Sequence, residues 1–186
     1  MPRALLLLLL PLLLGAVPVP LTIHLSVTRT DTARAWIDRQ VAVANQRFAS
    51  AGARFEVRRW LAFDSPGPQI TDVAGRDALA RRVGGERAVH VFVVDRLANK
   101  DRSGSWIGGV HWRRGGRRYV IVSRGEALAD TLAHELGHFL GLGHTRSPSN
   151  LMTSPGRREG AGLERWQLRR VRARLGAWAL RRGPRP

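Results

Sequence analysis

The chain contains no cysteine, which excludes disulfide bonds and also lipid attachment through a cysteine. Lysine occurs only as Lys100, so nearly all of the basic residues are arginine. Tyrosine also occurs once, as Tyr119. Methionine occurs only as the initiator and as Met152. The length of 186 residues is nevertheless sufficient for one domain with a sizeable apolar core.

Acidic residues are also scarce, since 14 aspartates and glutamates face 31 basic residues, and the net charge is +17. Anionic surfaces, acidic proteins and nucleic acid will attract such a chain in a salt-dependent way. The arginines are spread along the sequence, and no nucleic-acid motif with interleaved aromatic residues is present. We therefore interpret the charge first as a solvated surface and second as a partner-binding surface, and we expect no specific nucleic-acid partner.

The first twenty residues have the pattern of a secretory signal. Arg3 precedes an apolar run from Leu5 to Leu14, and the small residues at 15–17 are suited to cleavage. A retained anchor is the alternative, although the run is short for a membrane span and contains Pro11. We expect residues 1–20 to be a signal peptide or N-terminal anchor of a secreted or periplasmic, bacterial protein with no other stable membrane partner.

The sequence HELGHFLGLGH, residues 134–144, places three imidazoles and a carboxylate at the spacing of a catalytic metal site. His134 and His138 are four residues apart, so a helix presents both from one face. Gly141 can adopt positive φ and end the helix, which allows His144 to return as a third ligand. Three neutral imidazoles leave one zinc position open for water, which Glu135 can reach. The alternative is a helix whose histidines are solvated or bonded within the core.

These residues resemble the metzincin zinc metalloproteases, and the match to H-E-x-x-H-x-x-G-x-x-H is complete. The segments Gly141–His144 and Asn150–Met152 are most similar to the matrixin branch, although Thr145 stands where matrixins usually have serine. The resemblance implies one catalytic Zn²⁺, a peptide or protein substrate, and Met152 in a tight turn as the apolar floor under the imidazoles. It also implies that Glu135 acts as general base and then as general acid.

The resemblance further implies an α/β (α+β) fold with a single metzincin-like catalytic domain over residues 21–182 and a short tail at 183–186. Such a domain has a twisted, mixed five-stranded sheet with an antiparallel edge strand, two long helices, one carrying the zinc motif, and a C-terminal helix. Apolar periodicity predicts strands at residues 21–27, 55–63, 88–94, 110–112 and 117–123, and helices at 30–51, 77–83 and 163–178. A capping-box pattern at Ser123–Glu126 predicts the start of the zinc helix, with Leu128 directed to the core.

The segment from Gly108 to Trp112 is the candidate edge strand, and an extended peptide could add to its free edge. Gly109, Val110 and His111 are therefore the candidate substrate-binding residues. A plain edge strand without substrate contact is the alternative. The loop at residues 153–162 would shape the specificity pocket, where two arginines favour tolerance of acidic substrates.

His24, His90 and His111 have no paired spacing, and we interpret them as solvated or core histidines rather than ligands of a second zinc. Asp95 and Asp101 could take part in calcium binding, but no calcium-loop pattern supports this. The sequence thus predicts a secreted, monomeric zinc endopeptidase. The competing hypothesis is a polybasic anion-binding protein whose zinc site is structural or vestigial.

Overall fold

A computed structural model describes residues 15–26, 30–64, 66–153 and 162–180. The apolar run of the expected signal and most of the expected specificity loop lie outside these ranges. The strands are β1 (Val17–Ser26), β2 (Ala53–Phe63), β3 (Gln69–Ile70), β4 (Val89–Val94), β5 (Arg96–Leu97), β6 (Gly109–Arg114) and β7 (Arg117–Ser123). The α-helices are α1 (Thr30–Phe48), α2 (Val73–Ala78), α3 (Thr131–Phe139) and α4 (Arg165–Leu180).

Five strands form the main sheet in the order β2-β1-β4-β7-β6. Neighbouring strands are parallel except for β6, which lies antiparallel to β7 at the edge. The β6–β7 hairpin turns at Gly115 and Gly116, whose φ values of 56° and 75° are those that this tight turn requires. The expected fold class is therefore confirmed, and the small parallel pair β3–β5 is an addition that the sequence pattern did not predict.

Two apolar cores lie on opposite faces of the sheet. Because side chains alternate along a strand, Ile23 of β1 and Val91 of β4 face a core formed with α1, α3 and α4. Phe92 and Tyr119 face the second core, which the segment around α2, β3 and β5 covers. All six residues of β4 are buried, as expected for a central parallel strand covered on both faces. The sheet therefore holds α3, with the histidine motif, rigidly against its first face.

Several element boundaries differ from the sequence prediction. β1 begins at Val17 rather than Leu21, because its first four residues already pair with β2. The second helix is displaced, since α2 ends at Ala78 and a 3₁₀ turn follows. The zinc helix starts at Thr131, not at the capping-box pattern, and is only 9 residues long.

The capping-box prediction was wrong because Ser123 is the last residue of β7. Its hydroxyl donates to the Asp95 carbonyl at 3.0 Å, and its own carbonyl accepts from the amide of Ala127 at 3.0 Å. Leu128 therefore precedes the helix and is 51% exposed rather than directed to the core. On α4 the predicted apolar face was also partly wrong, because Trp166 is 42% exposed and the polar Gln167 is fully buried.

Among the helices within the described ranges, none has the length and apolar character needed to span a membrane.

Candidate metal centre

Three histidines converge at the C-terminal half of α3. His134 and His138 are one helical turn apart, and Gly141, with φ of 92°, reverses the chain so that His144 meets them from the following loop. The Nε2 atom of His138 lies 3.1 Å from the Nε2 atoms of both His134 and His144, and the third Nε2 distance is 3.3 Å. Within the described residues, this is the only group of three or more side chains placed to hold a metal ion.

Backbone carbonyls fix the orientation of two of these rings. The Nδ1 of His134 donates to the Leu151 carbonyl at 2.7 Å, and the Nδ1 of His138 donates to the Leu142 carbonyl at 2.9 Å. With the proton on Nδ1, each Nε2 lone pair points to the shared centre. Tetrahedral zinc with bonds of about 2.0 to 2.1 Å requires ligand nitrogens about 3.3 Å apart. The observed spacing fits that ion.

Glu135 lies beside the three histidines and is largely buried. It shares with them a cleft of about 580 Å³, which is also lined by Gly109, Val110 and His111 of β6 and by the residues just before this strand. Gly109 permits this close packing, since a Cβ there would lie 2.9 Å from Thr131 Cγ2 and 3.0 Å from Glu135 Cγ. Glu135 therefore packs against the start of β6, in the same cleft that the three histidines line.

Met152 is fully buried and packs against Gly137 of α3. Gly137 allows this approach, because a Cβ at that position would overlap the Met152 sulfur. The Met152 amide donates to Asn150 Oδ1 at 2.8 Å, and its carbonyl accepts from the Thr145 amide at 3.0 Å. A tight turn thus lies beneath the histidines, with its backbone tied to the loop that carries His144.

Comparison with protein-family models assigns residues 22–161, most of the chain, to the matrixin family of peptidases. The chain belongs to the matrixin family. It is accordingly a zinc metallopeptidase that acts on peptides or proteins, and zinc is its expected cofactor. A search of curated protein sequences found no match for this matrixin.

Solved structures agree on the fold of this matrixin. The structure of archaemetzincin from Methanopyrus kandleri is similar, with a TM-score of 0.61, 16% sequence identity, and coverage of 90% of this chain and 99% of that chain. Metalloproteinase-II from Bacteroides fragilis gives a TM-score of 0.58, 17% identity and coverage of 87% of this chain. The matched region spans only 54% of that longer protein.

A buried polar network supports the methionine turn, and sequence reasoning missed it. The Asn150 side-chain amide donates to Gln167 at 2.8 Å and to Glu164 at 3.1 Å, while Gln167 donates back to Asn150 Oδ1 at 3.1 Å. The network joins α4 to the turn of this matrixin. Gln167 itself was the available signal, because it stands at a position where the helical period expects an apolar residue.

On the edge strand, Gly109, Val110 and His111 all line the cleft. Val110 also packs against the second core. His111 Nε2 accepts from Arg118 at 3.4 Å, and burial, with Arg118, His138 and Arg113 nearby, lowers the pKa of His111 to about 4. His111 is therefore neutral at physiological pH, and the positive charge on this side of the cleft comes from arginine.

The remaining sequence candidates lie away from the zinc centre. His24 and His90 are both buried and hydrogen-bonded to each other at 2.9 Å, in keeping with core histidines. Asp95 pairs with Arg124, and Asp101 pairs with Lys100. Neither aspartate belongs to a group of three potential metal ligands among the described residues.

Proposed function

We propose that this matrixin is an exported, monomeric endopeptidase in which Glu135 performs the proton transfers of peptide hydrolysis. The observation that carries the proposal is the convergence of three Nε2 atoms in one open cleft that also contains Glu135 and the free edge of β6. All of these groups come from a single chain, which supports a monomer as the active unit.

The chemistry assigns separate tasks to the side chains. His134, His138 and His144 would hold the ion, which when bound lowers the pKa of a water molecule and polarises the scissile carbonyl. The Glu135 carboxylate accepts a proton from the attacking water and then donates it to the amine nitrogen of the departing fragment. The Leu151 and Leu142 carbonyls keep the first two rings in the tautomer that leaves Nε2 free.

The edge strand supplies the means of holding a peptide. β6 is the last strand of the sheet, so its outer edge can pair with an extended segment. A second cavity adjoins the cleft and shares His111 and His138 with it, so the groove continues on both sides of the zinc centre. A groove that extends beyond the zinc centre can hold substrate residues away from the scissile bond, which favours endopeptidase action.

Export is proposed from the N-terminal sequence. Removal of a signal after residue 20 would delete the first four residues of β1, which pair with β2. We therefore place the cleavage before Val17, within the small residues that suit a signal peptidase. Mass spectrometry of the protein recovered from the periplasm or medium of a bacterial host checks this, and an intact N-terminus in the cytoplasm contradicts it.

The decisive experiment measures zinc content and hydrolysis together. The purified protein should contain one zinc ion per chain and cleave an unfolded protein at internal bonds. A chelator should abolish the activity, and added zinc should restore it. Glu135→Ala should keep the zinc but reduce kcat by at least about 100-fold, the usual contribution of a general acid–base group.

Two results would contradict the proposal. Wild-type activity in the Glu135→Ala variant would remove the assigned role of that carboxylate. Zinc binding together with tight, salt-sensitive polyanion binding, but no hydrolysis of any peptide, would instead favour the anion-binding alternative with a structural zinc.

A further inference from the structure

A basic groove adjoins the zinc cleft at the C-terminal end of β6. It encloses about 830 Å³ and is lined by arginines 113, 170 and 174, by tryptophans 112 and 166, and by His138. Among the residues that the structure describes, no acidic side chain lines it. Because His138 also belongs to the zinc centre, an occupant of this groove lies next to the reacting bond.

The described residues place three arginines in the groove without a carboxylate partner. Within the part of the chain that the structure describes, no carboxylate forms an ion pair with Arg113, Arg170 or Arg174. Glu164, at the start of the same helix as two of them, instead accepts hydrogen bonds from Trp166 and Asn150.

The charge also exceeds what the end of α3 requires. Arg174 and Arg170 lie against Gly141, where a Cβ would be 3.3 Å and 3.7 Å from their Nε atoms, and Arg118 donates to the Phe139 carbonyl. A helix C-terminus carries only about half a negative charge. Burial lowers the pKa of Arg118, and the nearby Arg113 and Arg174 lower it further. Several guanidinium groups thus repel one another with too little negative charge between them.

The register of β6 relates the groove to the scissile bond. Gly109 packs against Glu135, so under the proposed mechanism the reacting bond lies beside Gly109. His111 and Arg113 lie two and four residues further along the same face of β6, about 7 and 13 Å away at strand spacing. Antiparallel pairing is the commoner and slightly more stable arrangement for an added strand. An antiparallel peptide therefore places residues before the scissile bond, and not those after it, beside the arginines.

We propose that the basic groove selects substrates with a glutamate or aspartate about two to four residues on the N-terminal side of the scissile bond. This inference rests on the proposed peptidase function. A substrate carboxylate brings negative charge to these arginines, and guanidinium groups bind carboxylates through paired hydrogen bonds. The flanking Trp112 and Trp166 add apolar contact to the aliphatic part of the same substrate side chain.

The test compares matched fluorogenic peptides. One set carries Glu, Gln or Lys three residues before the scissile bond, and a second set carries the same residues three positions after it. We expect kcat/KM to be about tenfold higher for Glu than for Gln in the first set, lowest for Lys, and nearly equal within the second set. The Glu preference should weaken as salt concentration rises.

Arginine variants locate the preference. The double change Arg170→Gln and Arg174→Gln should reduce the Glu-to-Gln ratio of kcat/KM to near one. The matched control is Arg169→Gln, an exposed arginine of the same helix that does not line the groove, and it should keep the wild-type ratio.

Binding to the zinc-loaded Glu135→Ala variant separates this proposal from the proposed function. The Glu peptide could bind more tightly than the Gln peptide while wild type cleaves neither. That result would support the proposed selectivity of the groove and contradict the proposed peptidase function. Efficient cleavage of every peptide with no Glu preference would overturn the groove alone. An equal preference for Glu after the scissile bond would also overturn the groove proposal. So would a DNA oligonucleotide that displaces the Glu peptide and whose binding is weakened more than peptide binding by the changes at Arg170 and Arg174.

Discussion

The molecule contains two histidine clusters, on opposite faces of one sheet, and they differ in how their lone pairs are used. In the zinc centre, two Nδ1 atoms donate to backbone carbonyls, so the Nε2 lone pairs remain available and converge. In the buried pair, the Nε2 of His24 and the Nδ1 of His90 bond to each other at 2.9 Å. The pair therefore lacks the converging free lone pairs that a metal requires.

The surroundings of the two clusters differ as well. His144 is exposed at the mouth of an open cleft, whereas His24 is stacked on Phe92 with ring centroids 4.2 Å apart and is only 2% exposed. Burial, together with His90 and Arg82, lowers the pKa of His24 to about 4, and Glu86 opposes this shift. Proximity of histidines is thus insufficient for a metal site, since the second hydrogen bond of each ring determines where its lone pair points.

The largest effect should come from removing one imidazole of the zinc centre. His138→Ala removes the ligand central to the short Nε2 distances, so zinc should be lost and hydrolysis should fall to background. The matched change in the other cluster, His24→Gln, should leave the zinc content at one ion per chain. Metal analysis and peptide cleavage of both variants check this, and stoichiometric zinc in His138→Ala would break the distinction between the clusters.

Acid should destabilise the folded protein through the buried histidine pair. The pKa of His24 is lowered from 6.5 to about 4 in the folded protein. Between these two pH values the unfolded chain therefore binds more protons than the folded protein. The unfolding free energy is unaffected by His24 above pH 6.5 and decreases as the pH falls toward 4. The shift corresponds to roughly 3 kcal/mol of stability, and His24→Gln should remove most of this acid-induced loss.

Melting temperatures of the metal-free proteins across this pH range give the measurement. Zinc is omitted so that proton competition for its ligands does not enter the comparison. His90, whose pKa is also lowered by burial, remains in the variant and leaves a smaller acid transition. Parallel curves for wild type and His24→Gln would show that the pair does not control acid stability.

The floor of the zinc centre should tolerate no added volume. Gly137→Ala places a Cβ where the Met152 sulfur lies, so we expect a loss of about 1 to 3 kcal/mol in unfolding free energy and weaker zinc binding. Gly176→Ala on α4 is the matched control, because no atom lies within 4 Å of its Cβ position. That change should stabilise the protein by about 0.4 to 1 kcal/mol. Equal effects in denaturant titrations of both variants would contradict a packed floor.

Short-range spacing was sufficient to predict the zinc trio, and apolar alternation predicted the main strands. The mixed sheet topology and its antiparallel edge strand were expected from the resemblance to the metzincins. His24 and His90 were predicted as solvated or core histidines, but their pairing was not predicted. They are 66 residues apart, and no local pattern connects them. The start of α3 was mispredicted because Ser123 is bonded to Asp95, a tertiary contact that overrides the capping pattern.

The polar network that supports the methionine turn could not be predicted from the local sequence pattern, because it depends on tertiary contacts. The basic groove could not be predicted for the same reason. Asn150 bonds to Gln167, and Arg113 comes to line the same groove as Arg174, only after the sheet and α4 have packed. The positive charge was visible in the composition, but its concentration beside the zinc centre depends on which strand lies opposite α4. Long-range packing therefore decides specificity, while local spacing decides the chemistry.

The smallest effect concerns Glu86, a carboxylate close to the buried histidine pair. Thr22, fully buried on β1, donates to Glu86 Oε1 at 2.7 Å, and the Arg59 and Thr22 hydrogen bonds together hold the pKa of Glu86 below its ordinary value. Thr22→Val removes one of these donors from the folded state. The unfolding free energy should fall by about 1 kcal/mol at neutral pH, and the Glu86 pKa measured by NMR should rise. Because the sheet separates this site from α3, zinc affinity should not change, and an altered zinc affinity would show that the two clusters are coupled through the strands.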